Sequence, residues 1–406
     1  MTAADTDRRV APRALPGATV LQIVRSLADD EPARAAVDVA LALLRSGARA
    51  IVAGADGPLV SELQGIGGEW IRLAGTTHNP LSARRNLRAL QESIATERVD
   101  IVHARGVAAT LSGAAAASAT GTWLVSTYGG PAAAHRWYDR GYGRALAGST
   151  RVIAHSAWVA DDLLARHQVD PGRVTVIPRR IDTQVFDPAQ INPARVATVR
   201  RAWRMGRGAR VFLIPGRLDP RKGQLTVVDA ARMLVTGGLE DVVFVFAGDD
   251  RRHAEYAQMI TSHAEAQGIG AMIRRVGTCR DMPAAYAASD IVIIPAIEPP
   301  AFARAAAEAF AMGRPVVASA VGALPEIVRA PPDVPEHERI GWLCAPADSI
   351  DLARAIAAAV ETDTAAHRAI AATAYRFARD MFSPAHVAAG TLALYAGLLR
   401  SNAYGR

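Results

Sequence analysis

Cysteine is almost missing from this chain of 406 residues: the two present, Cys279 and Cys344, lie far apart and share no CxxC spacing. That excludes a disulfide framework and a zinc motif, and a reducing compartment is the simplest inference. Aromatic residues are few, at 5%. No basic patch is interleaved with stacking aromatics, so nucleic acid is not expected as a partner despite a net charge of +7. No run of 18 or more apolar residues appears, and the opening MTAADTDRRVAPRALPGATV lacks the apolar core of a secretory signal. The expectation is a cytoplasmic protein whose residues 1–17 form a disordered tail. Asp-x-Asp metal motifs are missing too, and Asp249-Asp250 in AGDDRR is too weak to argue one.

What is present is an alternation of apolar strands and amphipathic helices. ATVLQIVRSL reads as a first strand, VDVALALLRSG as a helix, ARAIVAGA as a second strand and VDIVHARG as a later one. Such alternation implies an α/β fold with parallel sheets. The length suits two domains of ordinary size, and the extended VIPRRIDTQVFDP puts the boundary near Pro188. The expected division is 18–188, 189–382 and a last helix, 383–406. SARRNLRALQESI reads as a helix carrying Arg84, Arg85 and Arg88; it is either a solvated face or a contact for an anionic membrane surface.

The densest chemistry lies in EPPAFARAAAEAFAMGRPVVASAVGALPE, from Glu298 onward. Pro299 and Pro300 end the apolar run IVIIPA, a helix is expected from about Phe302, and Gly313-Arg314-Pro315 stops it before the strand PVVAS. A loop entering a helix after a parallel strand favours an anion, through free amides and the helix dipole. PGRLDPRKGQ repeats the arrangement after the strand VFLI, and there Gly216 precedes Arg217 and Lys222. Each reading has a plainer rival. Arg217 and Lys222 could be solvated charges, Glu308 could pair with Arg304 one turn away, and Glu298 could be a solvated loop acid. His103, His135 and His155 read best as structural histidines.

These segments resemble the retaining, GT-B fold glycosyltransferases of family 4, whose signature is Glu, any residue, Phe-Gly, four residues, then Glu-Ala. Phe302, Glu308 and Ala309 match, while Pro300 stands where the first Glu belongs and Ala303 where the Gly does. The resemblance implies two Rossmann-like domains facing a cleft, with the last helix crossing back to the first domain. It implies that Arg217 and Lys222 neutralise the diphosphate of a UDP- or GDP-linked sugar and that Glu308 holds its ribose. Gly277 and Cys279, in VGTCRDMPAAYAASD, are expected at the base, and Glu298 is the acid nearest to the missing one. No other cofactor and no metal is implied.

In the N-terminal half His103 and Arg105 match the family's segment, whereas three positions depart from it. Gly129 replaces a His, Arg180 replaces a Gly, and the Gly-rich turn after the first strand reads ADDEPAR. The implied function is transfer of a hexose to a glycan or lipid-linked acceptor, as in bacterial envelope polysaccharide or lipopolysaccharide synthesis at the inner membrane face. The alternative is a catalytically impaired subunit that keeps the fold as a scaffold.

Overall fold

The computed structural model describes residues 15–74, 80–131, 139–206 and 208–403. His135 and nearly all of the expected N-terminal tail lie outside the described residues. The chain divides into two units, one formed by residues 1–180 together with 384–406 and the other by residues 181–383.

The first unit carries a seven-stranded sheet of β1 (Thr19–Ser26), β2 (Arg49–Ala55), β3 (Glu69–Arg72), β4 (Ile101–Arg105), β5 (Trp123–Tyr128), β6 (Arg151–Ala154) and β7 (Val174–Val176). Their order is β3-β2-β1-β4-β5-β6-β7, and every pairing is parallel. Parallel strands need helical crossovers on both faces, so their side chains are buried on both sides. Alternate residues accordingly enter different cores. Val20 and Val24 pack with the helix Glu31–Arg45 and the last helix, while Leu21 and Ile23 pack on the opposite face with Leu90 and Ala116.

The second unit repeats the plan with β8 (Arg210–Pro215), β9 (Val242–Ala247), β10 (Ile273–Gly277), β11 (Ile291–Ile294), β12 (Val316–Ser319) and β13 (Gly341–Cys344), in the order β10-β9-β8-β11-β12-β13. Val211 and Leu213 enter one core, Phe212 and Ile214 the other. In each sheet the order reverses once, between β1 and β4 and between β8 and β11. Open α/β sheets bind ligands outside the carboxyl ends of the strands at such a switch point.

The last two helices, Thr364–Phe382 and Pro384–Ala403, meet at Ser383, whose φ of −62° and ψ of 148° break the helical path. Together they are apolar enough, with a mean hydropathy of 1.3, to match a membrane span by length and composition. Their apolar positions are used internally: Ala374, Ala378 and Phe382 enter the second unit's core, and Leu392, Tyr395 and Leu398 enter the first unit's. Arg84, Arg85 and Arg88 are exposed on the helix Pro80–Thr96.

Candidate functional site

The loop after β8 in the second unit is built by close approach. Gly223 has a φ of +71°, and a Cβ there would lie 1.9 Å from the Pro295 carbonyl oxygen in the loop after β11. A Cβ on Gly248, after β9, would lie 1.8 Å from the Gly216 carbonyl oxygen. Three strand-end loops are thus pressed together at backbone distance, which only glycine permits. Gln224 fastens the same loop, donating from Nε2 to the Arg217 carbonyl at 2.9 Å.

Asp219 organises the cations of this loop. It accepts from the Arg221 backbone amide at 3.0 Å and from Nη2 of the same residue at 2.7 Å, and the Arg221 guanidinium holds its carboxyl down at about 2. Arg221 also stands 3.7 Å from Glu298, and Arg251 is taken by Asp249 at 2.8 Å. Among the described residues neither Arg217 nor Lys222 has a carboxylate within ion-pair distance. Lys222 has a lowered pKa, from desolvation first and the neighbouring Arg217 charge second. Two like charges therefore act on each other, Lys222 only partly offset by Asp219 and Glu298, ahead of the helix Gln224–Thr236, whose N-terminus has no side-chain cap. That arrangement attracts a multiply charged anion. Lys222 is, moreover, the only lysine in the chain. Arginine serves every other basic position, so a compact ammonium here is a specific choice. The lone lysine was visible in the sequence as a signal that motif spacing passed over.

Glu308 lies on the helix Arg304–Ala311, two residues further along than the expected start. Its side chain is 12% exposed, with Arg304 loosely placed at 3.9 Å. The Tyr286 hydroxyl donates to its Oε2 at 3.0 Å. Burial raises its carboxyl to about 7, against the opposing pull of Arg304 and Tyr286. Tyr286, itself fully buried, was not singled out by the motif; only the fold brings the helix Met282–Ala288 against Glu308.

The other motif positions separate. Phe302 packs edge-on against Phe382, with ring centroids 5.6 Å apart, in the second unit's core. Ala303 is buried with a φ of −92°, a conformation that places no demand for glycine. Pro300 is fixed by the neighbouring turn, where a Cβ on Gly322 would come within 2.8 Å of it and its carbonyl accepts from Ala323 at 3.0 Å. Glu298 has a side chain 59% exposed, and its backbone amide donates to the Arg221 carbonyl at 3.2 Å. Gly277 ends β10 with a φ of +66°, and Cys279 is half-buried against the second unit's core, its thiol pushed up by burial.

In the first unit the carboxyl ends of β4 and β5 carry a buried polar chain. His103 bonds through Nε2 to the Thr127 hydroxyl at 2.8 Å and through Nδ1 to the Tyr395 hydroxyl of the last helix. Burial, then Arg105, keeps this imidazole neutral, and burial, then Arg179, depresses His155 to about 3. Both rings are bonded within the unit, His155 through Nδ1 to the Ile177 carbonyl at 3.1 Å. Of the three acids in the turn after β1, Asp30 caps the first helix at the Ala33 amide and Asp29 pairs with Arg34 at 2.6 Å. Glu31 stands 3.8 Å from Arg179.

Comparison with known proteins agrees on both units. The model described as "Glycosyltransferase Family 4" matches residues 33–185, and the one described as "Glycosyl transferases group 1" matches residues 209–362. A D-inositol 3-phosphate glycosyltransferase of Salinispora tropica is 32% identical over 207 residues, 48% of this chain and 43% of the relative. One of Nocardioides sp. is 31% identical over 258 residues, 60% of this chain and 53% of the relative. The chain thus spans about half the length of the curated relatives it matches. Among solved structures, a glycosyltransferase from Rickettsia africae ESF-5 superposes with a TM-score of 0.80 at 25% identity, covering 95% of this chain and 99% of that one. Anabaena HepE, crystallised with UDP, gives 0.73 at 21% identity over 95% of this chain and 100% of that one, a likeness of fold. The fold is GT-B, and the chain belongs to the group 1 glycosyltransferases of the family 4 type.

Proposed function

We propose that the protein transfers a sugar from a nucleoside diphosphate sugar to an acceptor hydroxyl, with retention of anomeric configuration. The observation that carries this is the pair of cations, Arg217 and Lys222, without an ion-pair partner among the described residues, on a glycine-locked loop at the switch point of the second sheet. As the sugar departs, negative charge grows on the diphosphate, and a guanidinium fork beside an ammonium stabilises that charge without rearranging. Glu308, with Oε2 held by Tyr286, presents its carboxyl to the ribose hydroxyls. Its raised pKa is reversed once hydroxyl donors reach it, because they favour the carboxylate. Gly277, with open space beyond it, lets the base approach the backbone near Cys279. Glu298 is the one acid on the loop after β11 that faces solvent, and it takes a minor part at the sugar hydroxyls. The acceptor hydroxyl attacks from the face the leaving group vacates, and a phosphate oxygen receives its proton, so the reaction needs no protein base there.

Envelope glycan assembly on a glycan or lipid-linked acceptor in the cytoplasm, at the inner membrane face, is the setting this family suggests. Turnover of UDP-, GDP- and ADP-linked hexoses with simple sugar and sugar-phosphate acceptors tests the reading, with NMR of the product anomer. Acceptor-dependent release of nucleoside diphosphate that Arg217→Ala abolishes is expected. If no nucleotide sugar binds or is consumed, the chain is a scaffold subunit.

A further inference from the structure

Lys222 has properties that bear on its own reactivity, apart from any part it takes in holding a nucleotide. It is the only lysine of the chain, and its side chain is exposed, so reagents in solution reach the amine. Among the described residues no carboxylate stands at ion-pair distance from it, so no salt bridge fixes the ammonium in its charged form. Its surroundings favour the neutral amine instead. Desolvation first, then the Arg217 charge and that of Arg221, outweigh Asp219 and Glu298, and the proton leaves more readily than from an ordinary lysine. An accessible, unpaired and readily deprotonated lysine is a nucleophile.

The same loop gathers anions around that nucleophile. The Lys222 amide donates to the Asp219 carbonyl at 2.8 Å, and Gly223, at a φ of +71°, turns the backbone directly into the helix Gln224–Thr236. No side chain caps the free amides at that helix start. Arg217 is also exposed, and its carbonyl is held by Gln224 at 2.9 Å. A guanidinium and free helix amides suit a phosphate group. A reagent that carries its electrophilic carbon on a phosphate is therefore concentrated beside the amine, and an electrophile without phosphate is not.

We propose that Lys222 is an acylation site for small acyl phosphates, whose phosphate docks against Arg217 and the helix amides while the Lys222 amine takes the acyl group. The ammonium first gives a proton to water. The free amine then attacks the carbonyl carbon: an N–C bond forms, the C–O bond to phosphate breaks, and phosphate leaves with the bonding electron pair and the proton lost from nitrogen. The product is a neutral amide, so the loop loses one of its two cations. That this lowers nucleotide binding rests on the transferase reading; the acylation does not.

The test incubates the full chain with acetyl phosphate at neutral pH and follows acetylation by peptide mapping, which separates Lys222 from the α-amino group. The rate at Lys222 is expected to saturate with acetyl phosphate, to exceed that of a blocked lysine amide in the same tube, and to fall when inorganic phosphate is added. A neutral acetyl ester of N-hydroxysuccinimide should react without saturation. Arg217→Ala, at an exposed position where the variant is expected to fold, should raise the half-saturating concentration about tenfold, the loss of one charge-assisted hydrogen bond, and slow the neutral ester far less. A rate linear in acetyl phosphate, a rate no faster than that of the blocked lysine, or equal effects of Arg217→Ala on both reagents would overturn the proposal. UDP, GDP or ADP should shield Lys222. Saturable, phosphate-competed acetylation that none of the three shields would support the acylation site while contradicting the nucleotide reading, so the two failures are distinguishable.

Discussion

Both units place cations at the carboxyl ends of their strands, but at different strands and in different company. In the second unit Arg217 and Lys222 stand on an outer loop with no ion-pair partner among the described residues, while Asp219 pairs with Arg221 and lies 3.7 Å from His253, and Asp249 pairs with Arg251. In the first unit Arg179 and Arg180 face Glu31 and Asp38, and Arg105, bonded to Gln22, lies within the field of the same two acids. A site that must take up growing charge on a leaving diphosphate is kept strongly positive.

The largest expected break in this contrast comes from the second unit's pair. Arg217→Ala or Lys222→Ala should lower turnover by about 10²–10³-fold, the range for removing one preorganised charge donor, whereas Arg179→Gln, whose guanidinium already has Glu31 as a neighbour, should lower it less than tenfold. Steady-state kinetics of the three variants separates these outcomes. Equal losses in all three would erase the distinction between the units.

Gly223→Ala attacks the loop rather than its charges. A methyl group 1.9 Å from the Pro295 oxygen cannot be accommodated, and alanine at a φ of +71° is strained whatever the space. A loss of about 2–4 kcal/mol in stability is expected for such a clash, together with loss of nucleotide binding. Chemical denaturation and a binding titration on the same variant check both.

Glu308 sharpens the comparison through pH. Its carboxyl titrates at about 7 in the folded protein against 4.5 ordinarily. Between those values the folded state holds a proton that the unfolded chain has released. Stability therefore falls as pH rises through that window and levels off above 7. At about 1.4 kcal/mol per unit the whole effect is about 3 kcal/mol. Glu308→Gln removes it, so the variant's stability relative to the parent should be higher at pH 8 than at pH 5; a constant difference would show that Glu308 is not buried as described. The smallest effect belongs to Glu298→Gln. An exposed carboxylate 3.7 Å from an exposed guanidinium is worth well under about 1 kcal/mol, and turnover should drop less than tenfold.

Much of the second unit was legible because its chemistry is contiguous. Arg217, Lys222 and Glu308 each sit at a fixed offset from a strand end, and strand ends can be read from apolar runs. Element boundaries there moved by only a residue or two, as where β11 ends at Ile294 instead of continuing through Ala296, whereas in the first unit the helix read from Val37 starts six residues earlier, at Glu31, inside the segment read as a turn. Tyr286 was not legible, since nothing local marks an AAYAAS helix as the partner of a carboxyl 22 residues away. In the first unit the departures from the family pattern read in sequence as isolated losses. Gly129 and Arg179 are 50 residues apart in the chain and adjacent only once β5 and β7 are set in one sheet beside β6. The acidic turn likewise looked hostile to anions, yet Asp30 and Asp29 are consumed by the helix cap and by Arg34. Compensation of that kind is a property of tertiary neighbours.

The lone lysine offers the most direct test of the central claim, that Lys222 and Arg217 hold a nucleoside diphosphate. Reductive ¹³C-methylation leaves the charge in place and labels a single side-chain amine in the whole protein. In the free protein its NMR titration midpoint should lie below that of an ordinary lysine, and saturating UDP, GDP or ADP should move it upward while the parent nucleoside leaves it unchanged. A Lys222 resonance indifferent to all three diphosphates would contradict the account.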